Sequence, residues 1–552
     1  MKKNISAPAL FLMLFSCNCM GQWVSDSSLN TPVCTAYGSQ IDLRMTEDGK
    51  GGAFIAWKDY RNWMPDIYIQ HLDSGGNALW AQDGVGLCTD PNDQSTPAIT
   101  GDMHGGAIVA WSDWRSGIER DIYAQRIDSA GNILWAADGI IVAGKAQREH
   151  NEKIISDDAG GAIIVWEQQD YYGYWDIWAQ RINPSGNVLW ASGGIPVCIV
   201  PANRLNPKVQ KDGKGGAFVT WQDYRTNNDY DVYIQRISAS GILQWISGGI
   251  PVSAATGPQV NPKIDPDSIS GGAYICWVDG RSGNDYDIYA QRIDSAGNML
   301  WALNGVAVCT APGNQSAPDL LSDDFTNGPV ITWKDLRSGD FDIYVQRLDP
   351  AGNAQWTGNG VPLCTSAFPQ LNPNIANDGT GGAVITWQDS ANGNWDVRSQ
   401  RIDASGSVLW PANGKFVSAA PFSQTSPKNI YDGREGCIYA WQDKRSGTFD
   451  IYAHRLSWAV DNTGVKEKIF PNNTGCYPNP FTDKLTIELP DTNDQGVCIG
   501  IINLMGDEVL EKRVYATGKY TINTTSIPAG PYFVRITGNT GTRLAGVVKS
   551  GM

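Results

Sequence analysis

The stretch WQDYRTNNDYDVYIQRISASGILQW at residues 221–245 decides the fold, because nearly the same sequence returns along the chain. WSDWRSGIERDIYAQRIDSAGNILW begins at Trp111, and WVDGRSGNDYDIYAQRIDSAGNMLW begins at Trp277. These segments combine Trp, Asp, Arg, Tyr and Gln, residue types that also build binding pockets. A segment that recurs in this way is first a structural unit. We therefore expect function only where one copy departs from the others.

The repeated unit keeps a fixed internal spacing. Its first Trp recurs in steps of 54 to 56 residues, and in seven copies a second Trp lies fourteen residues after an Asp of a D-[IV] step. The first Trp occupies Trp57, Trp111, Trp166, Trp221, Trp277, Trp333, Trp387 and Trp441, and the second occupies Trp80, Trp135, Trp190, Trp245, Trp301, Trp356 and Trp410. Because insertions fall in loops whereas register is kept within strands, the constant interval predicts a paired hairpin.

Residue patterning predicts four short strands in each copy. Apolar residues alternate in GAFVTWQD at 216–223, and DVYIQRI at 231–237 is rich in β-branched and aromatic residues. No window shows the sustained 3.6-residue period of a helix. Four short strands in a repeat of about 55 residues are typical of a propeller blade. The sequence predicts an all-β chain with an eight-bladed β-propeller over residues 22–457. This body resembles secreted β-propeller repeat proteins without indicating one functional family.

The two ends of the array predict how the propeller closes. The eighth copy begins at Trp441 and has Gly464 where its second Trp would fall. The segment GQWVSDSSLNTPVC at residues 21–34 matches LQWISGGIPVS of another copy, so Trp23 supplies the missing Trp. We expect this N-terminal strand to complete the last blade, which would remove two exposed sheet edges.

Most recurrent polar residues have a structural interpretation. The pattern W-x-D-x-R holds in six copies, at Asp59/Arg61, Asp113/Arg115, Asp223/Arg225, Asp279/Arg281, Asp335/Arg337 and Asp443/Arg445. The arginine fork can tie a carboxylate to backbone carbonyls within the hairpin. Eight copies of one active site are implausible, so these residues are predicted to hold the fold.

The cysteines are predicted to be buried free thiols. Five of them share one repeat position, which other copies fill with Ala or Ser; they are Cys34, Cys88, Cys198, Cys309 and Cys364. Equivalent positions on neighbouring packed sheets lie roughly 10 Å apart, whereas a disulfide needs Cα atoms within about 7 Å. The remaining cysteines show no metal-ligand spacing, and we expect no metal and no cofactor.

The N-terminus and the charge balance indicate an exported protein. Lys2 and Lys3 precede the apolar stretch at 7–15, which predicts a signal peptide over residues 1–21. A lipoprotein box at residues 14–17 is the alternative that we rank second. No later segment reaches eighteen apolar residues, so no transmembrane segment is expected. The net charge is −15 and no basic run occurs, which argues against a nucleic-acid partner.

The C-terminal part has a different pattern. A polar linker is expected at 458–475, followed by CYPNPFTDKLTIELP, NLMGDEV at 503–509 and GPYFVRI at 530–536. These segments resemble the type A sorting domain of the type IX secretion system, and the resemblance covers residues 476–552. It implies the type IX secretion machinery as a partner and release from, or attachment to, the outer cell surface. The alternating strands independently predict a small Ig-like β-sandwich; an accessory binding sandwich is the alternative.

One copy departs from the repeat and is the candidate ligand-binding site. The third copy, WEQQDYYGYWDIW, has Gln168 and Asp170 in place of the usual Asp and Arg. Its turn carries the four aromatic residues Tyr171, Tyr172, Tyr174 and Trp175. Aromatic side chains beside polar groups suit contact with carbohydrate or protein. The alternative is that these rings pack between blades, because the residue before the Asp is aromatic in most copies.

No catalytic residue is predicted. The chain has four His and lacks a nucleophile elbow, a His-Glu metal pair and a phosphate-binding loop. The sequence therefore favours a non-catalytic propeller that binds glycan or protein at the cell surface. A polysaccharide hydrolase with its site on one propeller face and a purely structural surface protein are the alternatives.

Overall fold

A computed structural model describes the chain except for residues 1–22, 25, 145–146, 227, 323–327, 459–475, 479, 490–496, 504–507, 515–517, 539–540 and 551–552. The chain divides into two compact units, Met1–Trp458 and Ala459–Met552. The predicted signal peptide and all but the first residue of the predicted linker lie outside the described residues.

The first unit is built from eight antiparallel sheets of four strands each, and no helix occurs among its described residues. Its strands are β1 (Thr31–Cys34), β2 (Gln40–Glu47), β3 (Ala53–Asn62), β4 (Met64–Leu72), β5 (Val85–Cys88), β6 (Gln94–Gly101), β7 (Ala107–Asp113), β8 (Asp121–Ile127), β9 (Ile140–Ala143), β10 (Glu149–Ser156), β11 (Ala162–Gln169), β12 (Trp175–Ile182), β13 (Ile195–Cys198), β14 (Arg204–Lys211), β15 (Ala217–Asp223), β16 (Asp231–Ile237), β17 (Ile250–Ser253), β18 (Gln259–Asp267), β19 (Gly272–Asp279), β20 (Asp287–Ile293), β21 (Val306–Cys309), β22 (Gln315–Leu321), β23 (Val330–Asp335), β24 (Asp342–Arg347), β25 (Val361–Cys364), β26 (Gln370–Asn377), β27 (Ala383–Asp389), β28 (Asp396–Ile402), β29 (Lys415–Ser418), β30 (Gln424–Tyr431), β31 (Gly436–Asp443) and β32 (Asp450–Ser457). Each sheet from β2–β5 to β26–β29 pairs its strands in chain order. We number these sheets blades 1 to 7, and β30, β31, β32 and β1 form blade 8. The first unit is thus an all-β, propeller-like repeat fold.

The last blade takes its fourth strand from the N-terminus. β1 pairs antiparallel with β32, with Pro32 opposite Tyr452. The indole Nε1 of Trp23 donates to the carbonyl of Ser74 in blade 1 at 2.9 Å. The second Trp of blade 3, Trp190, makes the same bond to Ala239 of blade 4 at 3.1 Å. Trp23 therefore has the contact of a second-position Trp.

The core lies between consecutive blades. The first Trp of each blade is fully buried in all eight copies. Trp221 of blade 4 packs in one cluster with Ile163 of blade 3, and Trp57 of blade 1 packs in one cluster with Ile438 of blade 8. Burying a large apolar side chain stabilises the fold by roughly 2–3 kcal/mol before entropy is counted. The Trp positions thus stabilise the contacts between blades.

The second unit consists of two sheets that share one core. Its strands are β33 (Cys476–Tyr477), β34 (Lys484–Leu489), β35 (Val497–Asn503), β36 (Glu508–Val514), β37 (Gly518–Asn523), β38 (Gly530–Gly538) and β39 (Gly541–Lys549). They form the sheets β33-β34-β37 and β36-β35-β38-β39. Leu485 of the first sheet and Ile499 of the second lie in the same buried cluster. The unit is a small β-sandwich.

Trp458 is the first residue of the predicted linker, and it belongs to the first unit. Its ring stacks on Tyr431 at 6.2 Å and lies 6.4 Å from the ring of Trp410. The packed part of the first unit therefore extends one residue past the predicted end of the propeller.

Candidate functional site

The repeated W-x-D-x-R residues form a closed hydrogen-bonded cluster. The carboxylate of Asp223 accepts from Trp221 Nε1 at 2.8 Å and from Nη2 and Nε of Arg225 at 2.6 and 2.9 Å. Nη2 of Arg225 also donates to the carbonyl of Gly248 at 2.8 Å, and the guanidinium lies 3.8 Å from the ring centre of Tyr233. Asp223 is fully buried. The cluster ties the two hairpins of a blade together and offers no free carboxylate to a ligand.

The cysteines at the shared repeat position border this cluster. The seven cysteines of the first unit that the structure describes are buried and free. Burial, together with the charge of Asp223, raises the pKa of Cys198 to about 12, and burial raises that of Cys364 to about 11. Thiols with such pKa values stay protonated at neutral pH and are poor nucleophiles.

The four aromatic residues of the third copy differ in exposure. Tyr171, Tyr172 and Tyr174 belong to the turn that joins β11 to β12, and Trp175 is the first residue of β12. Tyr171 and Tyr172 are 89% and 82% exposed, and their rings lie edge to face at 5.7 Å. Tyr174 is 38% exposed and Trp175 is half-buried. The turn therefore presents two phenol rings to solvent, whereas Trp175 belongs to the blade surface.

Short hydrogen bonds hold this turn in one conformation. The carboxylate of Asp170 accepts from the backbone amides of Tyr172 and Tyr174, each at 2.8 Å. The backbone amide of Asp170 donates to the carbonyl of Tyr174 at 2.7 Å, and Gly173 has a φ of 90° that favours glycine. Asp170 stands where other copies have Arg, so this exchange converts an arginine fork into a carboxylate-capped turn.

Trp175 packs against His150 of β10 and lies near Arg148, which precedes that strand. Its ring meets the ring of His150 edge to face at 4.3 Å, and Arg148 lies 6.0 Å from its centre. His150 Nε2 lies 3.6 Å from the carboxylate of Glu167. Burial, followed by the charges of Arg148 and Lys153, lowers the pKa of His150 to about 4. The imidazole is therefore neutral at neutral pH and serves as a packing partner.

A second candidate site lies among the first strands of the blades, and the sequence analysis did not identify it. A cavity of about 610 Å³ is lined mainly by residues of β2, β14, β18, β22, β26 and β30, from blades 1 and 4 to 8, with one residue each from β23 and β31. We call it the first-strand cavity. Its charged lining residues are the cations Arg44, Lys208, Lys263, Lys334 and Lys428 and the carboxylate residue Asp42. The signal in the sequence is the recurrent tripeptide NPK, NEK or SPK near the start of the unit.

A backbone bulge brings these basic residues to the same place in each blade. In every first strand the register shifts between the second and the fifth residue, and a residue with φ between 49° and 58° lies inside the shift. These positive-φ residues are Asp42, Thr96, Asn151, Asn206, Asn261, Ala317, Asn372 and Ser426. A bulge redirects the next side chain, and the residue two positions later is the basic one in five blades.

One cation of the cavity has a close carboxylate partner, whereas two others have lowered pKa values. Lys263 Nζ pairs with Asp319 at 2.9 Å, and Asp319 also accepts from Asn374 Nδ2 at 2.8 Å. Burial, followed by the charges of Lys153 and Lys263, lowers the pKa of Lys208 to about 7. Burial, followed by the charges of Arg44 and Lys263, lowers that of Lys428 to about 8. These shifts mark sites where positive charge is unfavourable until a counter-charge arrives.

No group of three or more His, Cys, Asp or Glu side chains placed to hold a metal ion occurs in the part of the chain that the structure describes. Over the same residues, no helix is long and apolar enough to cross a membrane.

Comparison with known proteins identifies the second unit. Residues 475–549 match the family model of the secretion system C-terminal sorting domain. The second unit is a secretion-system sorting domain. A tail of this family indicates secretion, so the chain is a secreted protein that the type IX machinery handles. No curated protein matches the chain.

The sorting domain buries residues from two of its matching segments in the sandwich core. YPNPF begins in β33 and ends at Phe481, which is fully buried and whose amide donates to the carbonyl of Val548 at 2.8 Å. GPYFVRI forms most of β38. Lys549 is buried, and its amino group donates to the carbonyl of Thr524. Part of NLMGDEV lies outside the described residues of the sorting domain.

Several solved structures match part of this chain at low identity. A protein of unknown function from Dyadobacter fermentans has 9% identity and a TM-score of 0.34, over 58% of this chain and 97% of its own. An endo-arabinase from Bacteroides thetaiotaomicron has 18% identity and a TM-score of 0.28, over 48% and 96%. A Hadza microbial sialidase has 11% identity and a TM-score of 0.33, over 71% and 74%. At these identities and TM-scores, the matches assign no activity to the first unit.

Proposed function

We propose that the chain is an exported, non-catalytic, eight-bladed β-propeller that binds glycan at the cell surface through the exposed turn of blade 3. The single observation that carries the proposal is the pair Tyr171 and Tyr172, two adjacent phenol rings held out into solvent. Exposed large aromatics cluster at interaction sites, and a ring face covers the apolar face of a sugar while its hydroxyl hydrogen-bonds.

The geometry of the turn supports binding without a large entropic cost. Asp170 caps two backbone amides, and Gln169 Nε2 donates to the carbonyl of Gly173 at 3.1 Å. A turn that is already ordered loses little conformational freedom when a ligand arrives. This supports the exposed pair as a preformed recognition element.

A closed ring of blades is part of the proposal, because it gives the turn of blade 3 a rigid scaffold. Three contacts support it. β1 pairs with β32, Trp57 packs with Ile438 of blade 8, and the amide of Gln40 in blade 1 donates to the carbonyl of Phe449 at 2.6 Å. The amide bond has a counterpart between blades 4 and 5, where the amide of Gln259 donates to the carbonyl of Tyr230 at 2.6 Å, and the packing of Trp57 on blade 8 has a counterpart in that of Trp221 on blade 3.

The test is glycan binding by the full chain from Gln22 onward, on a glycan array and by electrophoresis through gels containing surface polysaccharide. The double variant Tyr171→Ala/Tyr172→Ala should weaken binding roughly thirtyfold to several hundredfold, since each of the two contact rings contributes about 1–2 kcal/mol. The matched control is Ile118→Ala, which removes an exposed apolar side chain from the corresponding turn of blade 2 but no ring.

Unchanged retention of the double variant, with its thermal midpoint also unchanged, would reject the turn as the binding site. Retention of a surface protein but of no glycan would move the ligand class to protein. A chain that retains neither would support a purely structural role.

A polysaccharide hydrolase is the second candidate, and one observation favours it. Burial raises the pKa of Glu152 to about 7, whereas the charge of Lys263 keeps the pKa of Asp319 low despite burial. Two carboxyl groups with pKa values pushed apart are what a general acid and its partner need. Release of reducing ends from polysaccharide, abolished by Glu152→Gln, would establish this candidate and reject the non-catalytic proposal.

A further inference from the structure

The first-strand cavity concentrates positive charge in an acidic chain. In each blade, the bulge interrupts the pairing between the first and the second strand, and the residue after the bulge is where that pairing resumes. This position is therefore equivalent in all eight blades. Its occupants in chain order are Arg44, Ala98, Lys153, Lys208, Lys263, Asp319, Asn374 and Lys428. Cations at this position outnumber the single carboxylate five to one, although the whole chain has a net charge of −15.

Of these cations, Lys263 forms an ion pair with Asp319, whereas the others have carboxylates only at longer range. Lys208 Nζ donates only weakly to the carbonyl of Pro207 at 3.4 Å, and Arg44 Nη1 donates to that of Leu43 at 2.8 Å. Among the described residues, the structure records no carboxylate oxygen within 4.0 Å of the charged groups of Arg44, Lys153, Lys208 or Lys428. A fold that holds several like charges around one space without close ion pairs is suited to an anionic ligand.

Of the nearby carboxylates, Asp42 lines the cavity and its charge acts on Arg44, whereas three others are engaged by donors. Asp319 is bound to Lys263 and Asn374. Glu152 accepts from Thr96 Oγ1 at 2.8 Å, and Glu167 accepts from Asn151 Nδ2 at 2.6 Å. Among the described residues, the cations that line the cavity without an ion pair within 4.0 Å are therefore Arg44, Lys208, Lys334 and Lys428.

The chemistry and size of the cavity define the ligand class. We propose that the first-strand cavity binds a ligand through an oxyanion group, held by Arg44, Lys208 and Lys428. Ammonium and guanidinium groups recognise carboxylate, sulfate and phosphate by charge-assisted hydrogen bonds. A volume of about 610 Å³ lies within the range of small-ligand sites. The oxyanion can come from a free inorganic ion or from an acidic sugar.

The test measures binding by calorimetry with the full chain from Gln22 onward. The probes are inorganic sulfate, a trimer of galacturonic acid and the neutral trimer of galactose. Lys208→Met and Lys428→Met should each weaken binding of the anionic probe about tenfold. Lys214→Met is the matched control, because Lys214 is exposed at the turn after the same strand as Lys208, and it should leave affinity unchanged.

Asp319→Asn tests the charge argument in the opposite direction. It removes the one carboxylate of the position and releases Lys263, so the anionic probe should bind about threefold to tenfold more tightly. A residue that only supports the fold would not increase affinity. Each variant's thermal midpoint is recorded to show that it is folded.

Binding of both sulfate and the acidic trimer would support the site and show that it accepts an oxyanion from either a free ion or a sugar. Binding of the acidic trimer alone would support the site and identify an acidic glycan as the source of the oxyanion. Equal binding of the neutral trimer, or no binding of either anionic probe, overturns the proposal. The double variant Tyr171→Ala/Tyr172→Ala should keep anion binding. Loss of glycan retention and loss of this site can therefore be told apart.

Discussion

Removing the indole of Trp23 tests the contact that joins blade 8 to blade 1. Trp23 lies over Gly76, where an added Cβ would come within 2.8 Å of the indole, and its Nε1 donates to Ser74 at 2.9 Å. Trp190 lies over Gly241 with the same 2.8 Å approach and donates to Ala239 at 3.1 Å. The two indoles therefore make equivalent contacts at two different blade junctions.

The expected loss follows from burial. Truncating a buried Trp to Ala costs about 3–5 kcal/mol in a protein core. Trp190 is buried and Trp23 is half-buried, so we expect Trp190→Ala to lose roughly 3–4 kcal/mol and Trp23→Ala roughly 2–3 kcal/mol. About 1 kcal/mol of each loss comes from the hydrogen bond of the indole N–H.

Urea unfolding of the full chain, followed by circular dichroism, measures both losses under the same conditions. If Trp23→Ala unfolds within about 0.5 kcal/mol of the parent while Trp190→Ala is clearly destabilised, then the N-terminal segment does not hold the last blade and the closed ring is wrong. Similar losses in both variants would support closure.

Three further predictions concern the recurrent residues. Asp223→Ala leaves the guanidinium of Arg225 and the indole of Trp221 without their acceptor, so the free energy of unfolding should fall by about 3–5 kcal/mol; a loss below about 1 kcal/mol in urea unfolding would contradict the buried cluster. The pKa of Lys208 is about 7 in the folded chain against about 10.4 when unfolded, so the unfolded state binds more protons between these values and stability should rise from pH 7 to pH 10. Lys208→Met should flatten that rise, and an unchanged slope would show that Lys208 is not desolvated. Cys198, with a pKa of about 12, should escape alkylation by iodoacetamide at pH 8 until urea unfolds the chain, as mass spectrometry of its peptide would report; modification of the native chain would refute its burial.

The strands were predictable because their signals are local. The alternation in 216–223 and the fixed interval to the second Trp specify which residues share a face and how far a hairpin extends. The structure has β15 at Ala217–Asp223 and β16 at Asp231–Ile237, paired with Trp221 opposite Tyr233. Repetition adds to this, because the same pattern occurs in each copy. The sorting domain was predictable for a similar reason, since its short segments follow one another in a fixed order.

Which aromatic side chains near the turn of blade 3 are exposed, and which are packed, could not be predicted from the sequence. Tyr171, Tyr172, Tyr174 and Trp175 form one cluster in the sequence, yet the structure exposes the first two and packs Trp175 beside His150. The deciding feature is the hydrogen bonding of Asp170, which turns the backbone between them. A cluster of residue types does not reveal which rings a turn will present.

The sequence by itself determined the all-β repeat, the strand register, the buried Trp positions and the sorting domain, because each depends on residues a few positions apart. Only the tertiary structure decided that Arg44, Lys208, Lys263 and Lys428 line one cavity. These residues lie at least 55 positions apart, and no local pattern tells whether equivalent side chains point to solvent or towards one another. Their convergence depends on how the blades pack, and mutual repulsion in that space is what makes the cavity a candidate for an anion.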